Sequence, residues 1–442
     1  MEDLPEGWTQ RTTGELFETQ TGSTPSKREE AYFGHDIPLV KPPELLGKVV
    51  REAADGLTMS GAEKARVLPP NSVMVSCIGN LGKIGINAIP VAFNQQINAI
   101  IPNLALALPK FVFYQVYSAK YRQTLEGLSS ATTISIVNKK KFDTINLKIA
   151  PLNEQQRIVE KIETLFARLD KGEEAVRSVR KLLTRYRQCV LKAAVTGQLT
   201  NDWRAANGLP EWNEICLGDV TEFLTSGSRG WAKFYADQGD IFVRAQNIKH
   251  DRLELDDIAY VSLPAKSEGK RTRIQKDDLL ITITGANVTK TAHVKGDIGT
   301  AYVSQHVALF RPTADISSEF LYWFLVGKAA GRKQLEDFAY GAGKPGLNLQ
   351  NIRDVRLQLP SLEEQREISD LLKDAVGRTS VLEEWCETEL KRSASLRQSI
   401  LKDAFAGKLV PQDPADEPAS ALLARIAADK PTAKKTRRKT PA

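Results

Sequence analysis

One stretch of this chain occurs nearly twice. The thirteen residues from Arg187 to Leu199 return from Arg397 to Leu409, with identity at Arg187/Arg397, Gln188/Gln398, Leu191/Leu401, Lys192/Lys402, Ala194/Ala404, Gly197/Gly407 and Leu199/Leu409. The same offset of 210 residues carries Leu152-Asn153-Glu154-Gln155 onto Leu362-Glu363-Glu364-Gln365, and Asn138 onto Asn348. A register held constant over half the chain means two copies of one module, each a variable globular part followed by a shared helical part. The period is too long for a solenoid of short stacked repeats.

Each copy opens on Leu-Pro-Glu and tryptophan, at Leu4-Pro5-Glu6-Gly7-Trp8 and at Leu209-Pro210-Glu211-Trp212. Matched β-rich runs follow: Ile37 to Val40 with Ile241 to Arg244, and Ser72 to Ile78 with Asp278 to Ile283. A third pair starts at Asn94 and Ser304 and ends at Pro102 and Pro312. Branched residues punctuated by Gly, Pro and Asn predict strands and turns. An aromatic helix is expected at Phe111 to Tyr117 and at Phe320 to Leu325. The fold class expected is α+β: two mostly-β bodies separated by two long helices.

From Ile158 the apolar or small positions run Ile158, Ile162, Leu165, Leu169, Gly172, Val176, Val179, Leu183, Tyr186, Val190, Ala193, in steps of four and three. That is a coiled-coil seam. The second copy offers Ile368, Leu372, Ala375, Thr379, Leu382 and Cys386, shifts near Leu390, and resumes at Leu396 and Ile400. A lone helix would expose its seam, and the other copy is the nearest partner; packing of each helix on its own globular part is the alternative. Net charge supports the pairing, at +4 over residues 151–200 and −5 over 359–429. The boundaries expected are 1–150 and 201–358 for the globular parts, 151–200 and 359–410 for the spacer helices, and 411–442 for a short C-terminal helix and a basic tail. The apolar run Leu422-Leu423-Ala424-Arg425-Ile426 reads as that helix, docking on the body or on a partner.

The formal charge of +7 is concentrated: residues 430–442 hold six basic side chains and no acid. The rest of the chain is nearly neutral, so any nucleic-acid surface must be a local patch. The tail suits either a solubilising end or non-specific phosphate contact. No run approaches the ~18 apolar residues of a membrane span, the first residues lack the layout of a secretory signal, and the four cysteines are scattered. A cytoplasmic setting without membrane contact is expected.

Catalytic signatures are missing from the pattern. Gly79 to Ile84 has Ile84 where a phosphate loop needs Ser or Thr for magnesium, and Gly341 to Pro345 lacks the spacing as well. Lys41-Pro42-Pro43-Glu44 has both ends wrong for an amino-methyltransferase motif, and Asp256, Glu268 and Lys270 sit in a polar stretch rather than on a nuclease strand. The four histidines (His35, His250, His293, His306) have no metal spacing. The chain reads as a binder rather than an enzyme, with no cofactor or metal of its own.

Two variable bodies on a two-helix spacer resemble the specificity subunit of type I restriction–modification enzymes. The tokens are Pro151-Leu152-Asn153-Glu154-Gln155, Pro360-Ser361-Leu362-Glu363-Glu364-Gln365, the helix ends Leu191 to Thr200 and Leu401 to Val410, and Asp202-Trp203-Arg204. The resemblance implies that each body reads one half of a split double-stranded DNA site and that the helices form an antiparallel coiled coil. It implies two modification subunits binding S-adenosylmethionine and methylating adenine. It also implies two restriction subunits using ATP and Mg for translocation and cleavage. A helix from Glu154 to Thr196 would span ~64 Å, enough to set two reading heads about one DNA turn apart. A methyltransferase or nuclease with unseen motifs, and a protein-binding scaffold, are the alternatives.

Reading bases takes Arg, Lys, Asn or Gln forks, and holding phosphates takes cations or amides. The candidates are Lys41, Lys83, Lys139 and Lys140 in the first body and Arg244, Gln246, Asn247, Lys290 and Lys344 in the second; each could equally be a solvated surface residue or a turn amide. Gln95 and Gln305 are in register and are expected to maintain the fold, because reading residues should differ between bodies.

Overall fold

The computed structural model describes residues 4–129, 134–227, 229–264, 269–341 and 345–428. The basic tail, Lys344 and Glu268 lie outside the described residues. The shared segments form two long helices, α1 (Leu152–Val195) and α2 (Leu362–Ala404). The Pro151 carbonyl accepts from Gln155 N and the Ser361 carbonyl from Gln365 N, both at 2.9 Å. The helices therefore start in register, and the additional residue of the second copy is a serine cap whose Oγ accepts from Glu364 N at 3.3 Å.

Contacts divide the chain into two units, Met1–Ala175 with Glu389–Ala442, and Val176–Thr388. Each holds one β body and parts of both helices. In the first, strands Glu18–Thr21, Ile97–Ile101, Val73–Ser76 and Ile84–Asn87 lie in that order, with Lys48–Val50 added at the end. In the second, Thr221–Ser226, Val307–Pro312, Leu279–Thr282 and Thr291–His293 repeat the order. Each body has a second sheet in which one parallel pair repeats, Phe33–Val40 with Val91–Phe93 and Asp240–Val243 with Ala301–Val303. A two-stranded ribbon joins the start of each body to its end: Thr9–Thr12 with Asn146–Ile149, and Asn213–Cys216 with Arg356–Leu359. The aromatic helices lie at Pro109–Val116 and Ser318–Val326, their rings feeding the cores.

The repeated tokens meet at the root of each long helix. Trp8 Nε1 donates to Glu154 Oε2 at 3.0 Å, and Trp212 Nε1 to Glu364 Oε2 at 3.0 Å. The neighbouring glutamines fasten the aromatic helices: Gln155 Oε1 accepts from Leu108 N at 2.9 Å, and Gln365 Oε1 from Ser317 N at 2.7 Å. Past the helix ends, Gly197 (φ +75°) and Gly407 (φ +71°) take left-handed turns. A Cβ at Gly197 would come within 2.6 Å of Arg204, and one at Gly407 within 2.4 Å of Pro5, so the opening of each body packs on a glycine as well.

The two roots differ in charge. Glu364 is fully buried and also accepts from Thr200 Oγ1 at 2.6 Å and Arg204 Nε at 3.0 Å. Glu154 is equally buried, but its Oε1 has no hydrogen-bond partner among the described residues.

Within each unit the helices run antiparallel. In the first, Ile158, Ile162 and Phe166 share a core with Leu401, Ala404 and Phe405. Farther along, Glu173 accepts from Ser393 Oγ at 2.7 Å and pairs with Arg397 at 3.0 Å; Arg397 also pairs with Asp170 at 2.7 Å. In the second, Leu191 and Ala194 share a core with Ile368 and Leu372, while Arg180 meets Glu387 at 3.2 Å.

Of the seam residues on α1, Ile158 and Ile162 are fully buried, and Leu165, Leu169, Val176 and Leu183 half-buried. On α2 Thr379 and Cys386 are buried as the sequence reading placed them, and Ile400 is half-buried; Leu382 and Leu396 depart from it at 46% and 43% exposed, and Ser393 is buried instead. Two helices alone cover only one narrow line on each other, and here that line carries small side chains at seven-residue steps. The C-terminal helix α3, Ala419–Ala428, docks on the first body, with Leu422 in its core.

Burial raises the Glu154 carboxyl above its ordinary range, against the hydrogen bond from Trp8. A carboxyl raised on folding stabilises the fold while protonated, and that contribution is lost as pH rises through its folded value. Glu154→Gln should therefore gain stability relative to wild type as pH rises, and stay within about 1 kcal/mol of it near neutrality. Glu364→Gln leaves the buried Arg204 with only the exposed Glu211, at 3.3 Å, as counter-charge and should cost about 2 kcal/mol at neutral pH. Urea unfolding of both variants across pH is the measurement, with equal losses at neutral pH as the contrary result.

Candidate nucleic-acid interface

One edge of each body gathers four loops, and backbone hydrogen bonds hold them there. In the first body, Asn94 N donates to Val40 O at 3.1 Å, bringing the 94–96 turn beside Lys41. Cys77 N donates to Gln96 O at 2.7 Å, Gly79 N to Ser135 O at 2.8 Å and Val137 N to Cys77 O at 2.8 Å. The second body repeats the scheme: Ser304 N to Val243 O at 2.8 Å, Ile283 N to His306 O at 3.0 Å, Gly285 N to Pro345 O at 3.3 Å and Leu347 N to Ile283 O at 2.8 Å. The scaffold is common and the side chains it displays differ, which suits two readers of different sequences.

Most of the predicted residues lie on or beside these loops, in different states. Lys41 pairs with Asp55, and Lys139 with Asp143 at 2.6 Å. Lys83, Lys140 and Lys290 have no side-chain partner among the described residues, and Lys140 is exposed. They are the cations free to meet an anion. Arg244 and Gln246 are tied to one carboxylate: Arg244 lies 3.3 Å from Asp257 Oδ2, and Gln246 Nε2 donates to the same oxygen at 2.7 Å.

Asn247 departs from the sequence reading. It is buried; its Oδ1 accepts from Arg244 N at 3.0 Å, and its Nδ2 donates to Glu254 O and Asp257 O at 3.1 and 2.9 Å. All of these bonds are internal, so this amide shapes the loop instead of projecting from it. The reading of Gln95 and Gln305 as fold-maintaining residues is also corrected. Both are exposed at turn tips, and their amides bond only to Thr24 (3.2 Å) and to His306 (3.1 Å). Backbone bonds hold those turns.

The sequence reading passed over Thr284, His306 and Tyr340 in the second body and Ile134 and Ile136 in the first. Thr284 Oγ1 lies 2.5 Å from His306 Nδ1, Tyr340 is 62% exposed, and Ile134 is 55% exposed. An apolar or aromatic side chain left exposed at a loop edge was the available signal. Among the described residues no group of His, Cys, Asp and Glu could hold a metal ion, and no helix is long and apolar enough to cross a membrane.

The family model described as the type I restriction modification DNA specificity domain matches this chain twice, over residues 5–176 and 210–392. The chain is 26% identical to the StySPI specificity subunit of Salmonella potsdam, over 99% of this chain and 98% of that one. It is 25% identical to the EcoKI specificity subunit of Escherichia coli strain K12, over 97% and 96%. Among solved structures, a chain from work on complex assembly and conformational transition of the type I system superposes with a TM-score of 0.72 at 19% identity, covering 92% of this chain and 99% of that one. The specificity subunit of Thermoanaerobacter tengcongensis gives 0.53 at 21%, covering 92% and 98%. These two likenesses concern the fold.

Proposed function

Because this chain belongs to the type I restriction–modification DNA specificity family, we propose that each of its β bodies reads one half of an asymmetric, bipartite double-stranded DNA site through its four-loop edge. The chain is the non-catalytic recognition subunit; methyl transfer and cleavage belong to other subunits. The observation that carries this reading is the doubled edge, the same loops at the same topological places with different side chains. Lys83, Lys140 and Lys290 suit phosphate contacts, which position a protein on DNA without reading it. Lys41, Lys139 and Arg244 join them by exchanging their carboxylates for phosphate.

In this reading α1, 44 residues and about 66 Å long, is a spacer with α2. Two modification subunits, carrying S-adenosylmethionine, and two restriction subunits, using ATP and Mg, complete a cytoplasmic complex. The modification subunits are proposed to dock on the middle of the helices. There Val179, Leu182 and Tyr186 on α1, and Val381, Leu382 and Trp385 on α2, are each 41–67% exposed. Apolar stripes of that kind on a helix pair call for further protein.

Two experiments test these assignments. Inserting one heptad after Leu183, with a matching heptad in α2, lengthens the spacer by about 10 Å, roughly three base pairs. The gap between half-sites should widen, or activity should vanish, with the half-site sequences unchanged; methylome sequencing reads this, and an altered half-site sequence contradicts the spacer role. Trp385→Glu should cut co-purification of the modification subunit at least tenfold while the isolated chain keeps its unfolding midpoint. Undiminished assembly would remove the helix middle as the docking surface.

A further inference from the structure

The second body carries a side-chain relay at the tip of its edge that its fold does not need. The turn from Ser304 to Val307 is closed by its own backbone, with Val307 N donating to Ser304 O at 3.0 Å. On that turn, Gln305 Nε2 lies 3.1 Å from His306 Nε2, and His306 Nδ1 lies 2.5 Å from Thr284 Oγ1. With the amide nitrogen of Gln305 facing it, His306 Nε2 accepts, and the tautomer protonated at Nδ1 donates to Thr284 Oγ1. The order of donors runs from the amide inward, and the threonine hydroxyl completes it as acceptor.

That order decides what Gln305 shows to solvent. One amide hydrogen is spent on His306; the other, and Oε1, have no partner among the described residues, and the side chain is exposed. A donor and an acceptor side by side complement adenine, whose major-groove edge offers N7 as acceptor and the N6 amino group as donor. Of the other polar groups nearby, Arg244 is engaged on Asp257 and Asn287 on the carbonyls of Ala245 and Ile248 at 3.2 and 3.4 Å, while Gln246 gives one amide hydrogen to the Asp257 carboxylate. Lys290 is a point cation better suited to phosphate.

We propose that Gln305 reads an adenine in the half-site of the second body, with His306 and Thr284 as positioning residues that fix the orientation of its amide. This rests on the reading of the chain as a DNA specificity subunit. The register-matched Gln95 has a different neighbour, its Oε1 accepting from Thr24 Oγ1 at 3.2 Å.

The test uses the complex with modification subunits. N6-methyladenine profiling defines the wild-type site, and competition binding with singly substituted duplexes measures discrimination at each position. Gln305→Ala should lower discrimination at a single A·T pair of one half-site by roughly 5- to 150-fold, the equivalent of one bidentate contact, with the other half unchanged. Gln305→Glu should move preference at that pair toward C·G, since a carboxylate accepts from the cytosine amino group. Thr284→Val and His306→Phe should lower the same ratio without changing affinity for unrelated DNA, and Thr284→Ser should restore it. Wild-type stringency at every position in Gln305→Ala, or relaxation at a G·C pair, overturns the proposal alone. Absence of a bipartite site in the wild-type profile overturns the functional reading beneath it.

Discussion

A buried tryptophan-to-carboxylate hydrogen bond at the root of each long helix is what the rest of this architecture hangs on. It ties the first residues of a body to the first turn of the helix that leaves it, and the adjoining glutamine ties in the aromatic helix. A glycine beyond the end of each long helix receives the same opening segment on its open face. Three places far apart in sequence are thereby fixed to one another, and the loop edge inherits its geometry from that attachment.

The two roots reach the same geometry with different charge. The second neutralises its carboxylate with Arg204 inside the protein, and Arg204 reaches on to the exposed Glu211; Glu364 without its arginine would be a buried charge. The first leaves one carboxylate oxygen without a hydrogen-bond partner among the described residues. Duplication has kept the hydrogen bond that positions the helix and let the electrostatics around it drift.

Much of this was legible in the sequence, for a physical reason. Leu-Pro-Glu, Trp, Glu-Gln and the late glycines recur because they touch one another, so a constant register marks contact. The start of the α1 seam was readable because large apolar residues fill it, whereas Val179 and Tyr186, read into the same seam, are exposed. On α2 Thr379 and Cys386 lie on the buried line as read, but Leu382 and Leu396 flank it and the small Ser393, which hydrophobic periodicity passes over, is buried. Loop residues were harder still. Nothing in the sequence distinguishes an amide turned inward, as at Asn247, from one turned outward, as at Gln305, since the difference lies in distant backbone carbonyls. Lys344 stays a sequence-based candidate outside the described residues.

The two-stranded ribbon that closes each body on itself has a consequence for how such proteins diversify. Where a body's chain ends meet, at Thr9–Thr12 with Asn146–Ile149 and at Asn213–Cys216 with Arg356–Leu359, the body enters and leaves the chain at one place. Recombination between related genes within the shared helices would then transplant an intact reader, with its scaffold untouched at the seam of the crossover. A lineage holding several first and several second cassettes commands a repertoire that grows as their product, while the shared helices need not change.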